Sequence, residues 1–384
     1  MGKLIYILFL IPTFSFGQMT KEFLIHSKEL KCDRRIWVNT PEHYEFNKDS
    51  LQLVFLLDGN NKSLFEYTVA SKRFLEGNSV DLADYKAPQS IIVGIEQAEN
   101  RWDDFGDSIK SQKFLSFLEK EIIPYTKLNY RTVDYKILIG HSLGGRFAIK
   151  TLLIKPNLFN AIISASPAFE ENFIERILLK FDTLFSSRIR FDKALFFSTT
   201  YIKGERTEEN FRKFSETLEK YLKNKNIENF RFRYNSSNTL GHGKSPFFSI
   251  PEGLHFIYDP SLWQLEVDSL FNKNSTSLIA VKNYEKRIKN KFGIPISIQP
   301  YVSTLTYELL KSNKTKEAIE LFKSEINKQP TDINLFAQLL VQLKKNKMPD
   351  YKVYELKFLD IFKKLKISQK EQSEWMGWID QNSR

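Results

Sequence analysis

Cysteine is nearly absent from this chain of 384 residues, which contains only Cys32. A single cysteine cannot form an internal disulfide, and it excludes zinc and redox sites that need paired cysteines. The sequence also has no His-Glu-x-x-His segment and no G-x-x-x-x-G-K phosphate-binding loop. We therefore expect neither a metal nor a cofactor.

The sequence also lacks a hydrophobic run long enough to cross a membrane. Its apolar stretch at residues 4–16 is interrupted by Pro12, and a membrane-spanning helix needs roughly 20 apolar residues. The stretch follows Lys3 and leads to the small residues Ser15 and Gly17, the pattern of a secretory signal peptide. We expect residues 1–17 to be removed and the mature protein to be exported, as a periplasmic or secreted bacterial protein, because exported proteins from other sources usually contain disulfides.

Acidic residues are outnumbered by basic residues towards the C-terminus. The formal net charge is +11, and residues 271–384 contain 21 Lys and Arg against 12 Asp and Glu, which places +9 in the last third. No arginine-rich run or basic segment interleaved with aromatic residues is present, so we do not expect nucleic-acid binding. A lysine-rich solvated surface is the simplest interpretation, and weak attraction to anionic lipid or cell-wall polymers is the alternative.

Strand-like and helix-like segments alternate between residues 23 and 259. The segment 23–39 predicts a hairpin, and "LQLVFLLDG" (51–59) and "SIIVGI" (90–95) are continuous apolar runs typical of buried parallel strands. The segment "SQKFLSFLEKEIIPYTKLNY" (111–130) has helical spacing that we expect to end at Pro124. The alternation predicts an α/β fold over residues 18–268, with a mostly parallel sheet covered by helices on both faces.

The character of the sequence changes after about residue 265, where strand signals stop and lysine becomes frequent. In the segment 306–330, Ala318, Phe322 and Pro330 have the spacing of the second helix of a tetratricopeptide (TPR) repeat. A second helical pair at 334–346 and 351–365 lacks the signature residues. Residues 269–384 therefore predict a small all-α, TPR-like domain, for which helix packing is favoured over binding of a protein partner.

The segment "KILIGHSLGGRFAIK" (136–150) carries the most specific signal. An apolar strand leads into G-x-S-x-G, and an apolar helix follows it. This is the pattern of a nucleophile elbow, in which a sharp turn exposes the serine at the edge of a sheet. Ser142 is therefore the predicted nucleophile, with a plain glycine-rich turn as the alternative.

A serine hydroxyl becomes a useful nucleophile only with a general base beside it. Of the five histidines, His242 lies in a glycine-flanked loop directly after the last predicted strand, where an α/β-hydrolase places its base. His141 should point away from Ser142 because it is the direct neighbour of that serine in the chain.

The carboxylate that would orient the histidine should lie between the strand "ALFFSTT" (194–200) and the helix that begins near residue 207. Glu205, beside Gly204, is the first choice. Glu208 and Glu209 are expected to be solvated side chains in the first turn of that helix, where the helix dipole favours negative charge.

Several segments together resemble the esterase D and enterochelin-esterase-like group of α/β-hydrolases. They are "LLDG" (56–59), "FLSFLEKEIIPYTKLNYRT", "GHSLGG", "SASPAF" and "GHGKSPFFSIPEGLHFIY", and the resemblance covers residues 20–265. It implies Ser142 as nucleophile, His242 as base and an oxyanion hole formed by the backbone N–H groups of Asn60 and Leu143. The resemblance also implies an alternative to a triad, a serine–histidine pair acting alone. The segment "NRWDD" from Asn100 departs from the usual loop of the group, and we expect this to affect substrate fit.

The resemblance implies a serine hydrolase that cleaves a small-molecule or glycan ester through an acyl-enzyme, and the signal-peptide pattern implies that it is exported. Siderophore esters, acetylated or feruloylated polysaccharides and small thiol esters are all compatible substrates. Acyl transfer to a sugar or lipid alcohol is the alternative on the same fold. A non-catalytic envelope scaffold acting through the helical tail is the alternative of another class, and the presence of both Ser142 and His242 argues against it.

Overall fold

A computed structural model of the chain describes residues 19–76, 87–186, 191–225, 227–259, 262, 277–292, 298 and 301–384. The predicted signal peptide at residues 1–17 and the predicted domain boundary at 268/269 lie outside these ranges.

A sheet of eight strands forms the centre of the larger part of the chain. The strands are β1 (Met19–Ser27), β2 (Cys32–Thr40), β3 (Leu51–Leu56), β4 (Ser90–Ile95), β5 (Thr132–His141), β6 (Ala161–Ala165), β7 (Lys193–Thr200) and β8 (Phe230–Ser237). Their order across the sheet is β1-β2-β4-β3-β5-β6-β7-β8. The pairs β1–β2 and β2–β4 are antiparallel and the rest are parallel. The predicted hairpin and mostly parallel sheet are confirmed.

Helices cover the two faces of this sheet. They are α1 (Lys62–Glu76), α2 (Arg101–Phe105), α3 (Ile109–Phe117), α4 (Ile123–Asn129), α5 (Leu143–Ile154), α6 (Glu171–Ser186), α7 (Arg206–Lys223) and α8 (Ser245–Ile257). Successive strand residues point to opposite faces, so Leu53 and Phe55 join one hydrophobic core while Val54 and Leu56 join another. The predicted α/β-hydrolase architecture is confirmed.

The helix expected to end at Pro124 does not end there. A π-helical turn at Leu118–Ile122 joins α3 to α4, and Pro124 lies in the first turn of α4. The helix continues past this point through the π-helical turn, in which the Ile123 N–H donates to the Leu118 carbonyl five residues back. The prediction was therefore wrong about the end of the helix and right about its helical spacing, since the apolar side chains of Phe114, Phe117 and Ile122 are buried.

Six helices make up the described C-terminal part of the chain. They are α9 (Leu278–Phe292), α10 (Val302–Lys311), α11 (Thr315–Lys328), α12 (Ile333–Lys345), α13 (Tyr351–Lys364) and α14 (Gln369–Asn382). The helices α10 to α13 pack successively against one another, α14 packs on α12, and their apolar faces form a hydrophobic core of their own. The all-α region is confirmed, whereas its assignment as TPR-like stays a prediction.

The helical region contacts the loop that precedes β3. The Lys48 N–H donates to the Lys328 carbonyl over 2.8 Å. The Gln329 side-chain amide donates to Asp49 over 2.7 Å. Phe46 packs against the helical core. These contacts lie at the amino end of β3, which is the edge of the parallel sheet opposite to the carboxyl ends of its strands.

Candidate active site

Ser142 lies in the tight turn between β5 and α5. Its backbone has φ 58° and ψ −118°, which is a strained conformation for a residue with a side chain. The turn brings two backbone segments so close that a Cβ at Gly140 would lie 2.3 Å from the carbonyl oxygen of Gly144. Gly140 is therefore needed for the turn itself, and the turn places Ser142 at the carboxyl end of β5.

The segment after β6 supports this turn. The Ser142 N–H donates to the Ala165 carbonyl over 2.8 Å, and the Ala168 N–H donates to the Ser142 carbonyl over 3.0 Å. Both backbone groups of the serine are therefore held by "SASPAF", and only its side chain remains free to react.

The structure brings together Ser142 and His242, the predicted nucleophile and base. The Nε2 atom of His242 lies 2.9 Å from the Oγ atom of Ser142. Across the ring, Nδ1 of His242 is hydrogen-bonded to a carboxylate oxygen of Glu208. An ionised carboxylate can only accept, so Nδ1 carries the proton and Nε2 is left to accept the serine proton.

The carboxylate at Nδ1 is therefore Glu208, and the expectation that Glu205 fills this position is corrected. The expectation that Glu208 is solvated is also wrong, because its side chain is fully buried. Glu208 lies in the first turn of α7 and faces the sheet. The helix dipole stabilises a negative charge at this end of a helix.

Glu205 has a different contact in the structure. Its two carboxylate oxygens accept the backbone N–H of His242 over 3.1 and 3.2 Å. Glu205 thus holds the peptide of the histidine, while Glu208 holds its ring. Glu209 is exposed, as expected, and accepts a hydrogen bond from the Tyr201 hydroxyl over 2.8 Å.

The two N–H groups expected to bind an oxyanion lie at the same edge of the sheet. Asn60 follows β3 and Leu143 begins α5, and β3 and β5 are parallel neighbours. The Leu57 N–H donates to the Ile139 carbonyl over 2.9 Å, which ties the loop after β3 to β5. Within the described ranges, neither the Asn60 N–H nor the Leu143 N–H donates to another protein atom.

His141 does not simply point away, because its ring packs on that of His242. The two ring centroids are 4.8 Å apart. Nε2 of His141 lies 3.1 Å from the carbonyl oxygen of His242. Burial, with a smaller contribution from His242, lowers the pKa of His141 to about 3, so the ring is neutral at pH 7. Sequence reasoning missed this contact, because two histidines 101 residues apart give no local signal.

Arg101 is the second residue that sequence reasoning missed. It belongs to the segment "NRWDD", which was considered only for substrate fit. Its guanidinium donates two hydrogen bonds of 2.8 Å to the carboxylate of Asp58. It also donates to the His141 carbonyl over 3.1 Å. Arg101 therefore joins the loop after β3 to the end of β5.

No metal site or membrane span is found in the described part of the chain. Among those residues, no three His, Cys, Asp or Glu side chains cluster closely enough to hold a metal ion. Within the same ranges, no helix is both long enough and apolar enough to span a bilayer.

Comparison with solved structures shows the same fold in other proteins. An IroE-like serine hydrolase from Shewanella oneidensis superposes with a TM-score of 0.61 at 19% identity, covering 81% of this chain and 99% of that one. An uncharacterised protein from Capnocytophaga ochracea superposes with a TM-score of 0.58 at 17% identity, covering 91% of this chain and 94% of that one. The 91% of this chain that aligns with the Capnocytophaga protein is more than the hydrolase part alone, so the structural similarity extends into the C-terminal helices.

Comparison of sequences identifies the family. The ferri-bacillibactin esterase BesA of Bacillus subtilis is 34% identical over 92 residues, which are 23% of this chain and 30% of BesA. The chain thus spans about a third of the length of that relative. The family model described as "Putative esterase" matches residues 27–287, well over half of the chain. The chain therefore belongs to this esterase family.

Proposed function

We propose that the protein hydrolyses a carboxylic ester through an acyl-enzyme, with Ser142 as nucleophile, His242 as general base and Glu208 as the carboxylate that orients the base. The supporting observation is one continuous hydrogen-bonded path. It runs from the buried Glu208 carboxylate through both ring nitrogens of His242 to the hydroxyl of Ser142. Such a path is what a weakly nucleophilic hydroxyl requires.

In the acylation step, Oγ of Ser142 bonds to the ester carbonyl carbon as its proton passes to Nε2 of His242. The imidazolium that forms is balanced by the Glu208 carboxylate at Nδ1. Negative charge develops on the former carbonyl oxygen, and the N–H groups of Asn60 and Leu143 are the proposed donors to it. The carbon–oxygen bond to the alcohol then breaks, and Nε2 gives its proton to the departing alkoxide.

Deacylation repeats these steps with water in place of Ser142. His242 removes a proton from water, the resulting hydroxide attacks the acyl carbon, and the proton returns to the serine oxygen as the acid leaves. The cycle regenerates neutral His242 and consumes one water for each ester. It requires no group beyond these side chains and backbone amides.

Two finer proposals complete this function. The pattern at residues 1–17 supports export of the mature protein. The printed name of BesA, a ferri-bacillibactin esterase, makes a ferric siderophore ester the first natural substrate to test, ahead of glycan and thiol esters.

The direct test is hydrolysis of a p-nitrophenyl ester and of ferri-bacillibactin by the purified full-length protein. A fluorophosphonate should label Ser142, as identified by peptide mass spectrometry, and Ser142→Ala should abolish labelling and turnover. Ser373→Ala, an exposed serine on α14, is the matched control and should change neither. Turnover by Ser142→Ala above about 1% of wild type would contradict the proposal, since loss of a triad nucleophile costs orders of magnitude more.

A further inference from the structure

His242 begins a short 3-10 turn (His242–Lys244) that leads directly into α8, and the Ser245 N–H donates to the His242 carbonyl. Gly243 and Lys244 are exposed, and a Cβ at Gly243 would meet no atom within 4 Å. By contrast, both backbone groups of His242 are bonded to side chains. The N–H donates to Glu205, and the carbonyl accepts from Nε2 of His141 over 3.1 Å.

The direction of the bond from His141 follows from its chemistry. A carbonyl oxygen can only accept, so Nε2 of His141 must carry a proton and donate it. The neutral ring has one such proton and lies against the ring of the base, with centroids 4.8 Å apart and planes inclined by 37°. His141 therefore both donates a hydrogen bond to the backbone of His242 and packs against its ring.

The backbone of His141 is held from the opposite side. Its carbonyl oxygen accepts from Nη2 of Arg101 over 3.1 Å. The same guanidinium donates two hydrogen bonds of 2.8 Å to the Asp58 carboxylate. Asp58 has a positive φ of 58° and lies two residues before Asn60 in the loop after β3. His141 thus connects three segments: the loop after β3, the turn of Ser142 and the loop of His242.

We propose that His141 is a positioning residue that sets the placement of His242 relative to Ser142, and that Arg101 and Asp58 extend this connection to the loop of Asn60. The inference rests on the proposed function, because it concerns the geometry of that reaction. Reacting groups need alignment to within a fraction of an ångström, and a misplacement of about 1 Å can cost 100-fold in rate. Loss of the bond from His141 should therefore lower kcat and leave KM nearly unchanged.

The experiment compares His141→Leu, which removes the donor, with His141→Gln, whose side-chain N–H can reach the same carbonyl. We expect kcat to fall about 10- to 100-fold in the leucine variant with KM within about twofold, and glutamine to restore most of the loss. His26→Leu, at an exposed histidine on β1, is the matched control and should behave as wild type.

A second readout does not depend on turnover. The Nδ1 proton of His242, bonded to Glu208, should give a far-downfield 1H NMR resonance. This resonance should persist in the glutamine variant and be lost or broadened in the leucine variant. If the wild-type protein hydrolyses no ester, the proposed function fails, and this comparison alone decides the inference.

Two results would overturn the inference: a leucine variant with the kcat and the resonance of the His26→Leu control, or a glutamine variant that is no better than leucine. If near-UV circular dichroism shows that His141→Leu is unfolded, Arg101→Lys replaces it. That change removes the bidentate hydrogen bonding to the Asp58 carboxylate, and it should lower kcat about fivefold or more at constant KM. An unchanged kcat in Arg101→Lys would likewise overturn the inference.

Discussion

Replacing Glu208 by glutamine substitutes an amide for a carboxylate of nearly the same size. The native carboxylate is fully buried and accepts the Nδ1 proton of His242. Glutamine has no negative charge to balance the imidazolium. Its NH2 group can also donate to Nδ1, which would move the ring proton to Nε2, where Ser142 needs an acceptor.

The size of the loss follows from the burial of the pair. Opposite unit charges about 4 Å apart attract by about 4 kcal/mol at the effective dielectric constant of about 20 that suits protein sites. That energy is present only after the imidazolium has formed, so it lowers the barrier by a similar amount, which corresponds to about 1,000-fold in rate. The wrong ring tautomer adds to this loss, so we expect kcat to fall about 1,000- to 10,000-fold.

Glu205→Gln is the matched control, because it makes the same chemical change three positions away. Its amide oxygen can still accept the backbone N–H of His242, which the native carboxylate accepts over 3.1 and 3.2 Å. We expect a loss of no more than about tenfold, the difference between a charged and a neutral acceptor.

The assay for both variants is steady-state and burst-phase hydrolysis of a p-nitrophenyl ester, with near-UV circular dichroism to confirm folding. A Glu208→Gln protein within tenfold of wild type, or equal losses in the two variants, would refute the assignment of Glu208.

Three further predictions concern the nucleophile and base, the pH dependence of stability, and the helical region. Ser142→Ala and His242→Ala should each remove nearly all kcat, and the double variant should be no slower than either single variant, because triad members act as a unit; losses that multiply would show that the two residues do not share a step. The folded-state pKa of His141, about 3, lies below its usual value. The unfolded chain therefore binds more protons below pH 6.5, and the free energy of unfolding should fall by up to about 1.4 kcal/mol per pH unit between pH 6.5 and 3. Urea unfolding at pH 6.5 and 4.5 should show this slope in wild type and less of it in His141→Gln, and equal slopes would contradict the pKa. A protein ending after residue 275 should hydrolyse a small activated ester at a rate within about tenfold of the full chain, a difference of about 1.4 kcal/mol in barrier. The reason is that the helices contact the loop of Lys48 and Asp49, at the edge of the sheet opposite to Ser142. Near-complete loss of activity in a truncated protein that is folded by circular dichroism would contradict this prediction.

The sheet and the turn of Ser142 could be predicted because their signals are local. A buried parallel strand is a continuous apolar run, and the turn needs its glycines within a few residues of the serine. His242 could be selected because it lies in a glycine-flanked loop after the last strand. In each case the residues that determine the structure are adjacent in the sequence.

The contacts of His141 and Arg101 could not be predicted in this way. Each joins segments that are far apart in the sequence: His141 to His242, and Arg101 to Asp58 and to the carbonyl of His141. Only the order of the strands brings these segments together, because β3 and β5 are neighbours in the sheet although β4 lies between them in the chain.

The choice between the two glutamates could have been made from the sequence with a different argument. Position in the first turn of a helix does not decide whether a side chain is solvated, since one side of that turn can still face the core. Counting back from the buried Leu222, Leu218 and Ser215 by 14, 10 and 7 residues leads to Glu208, and at 3.6 residues per turn these four positions share one face of α7. Glu209 lies about 100° further round the helix and is exposed.

A glutamate on the buried stripe of an amphipathic helix needs a partner, because an unpaired buried charge is costly. His242 is the histidine predicted to act as base at that edge of the sheet, so helical periodicity and the cost of burial together favour Glu208 as its partner, whereas proximity to Gly204 favoured Glu205.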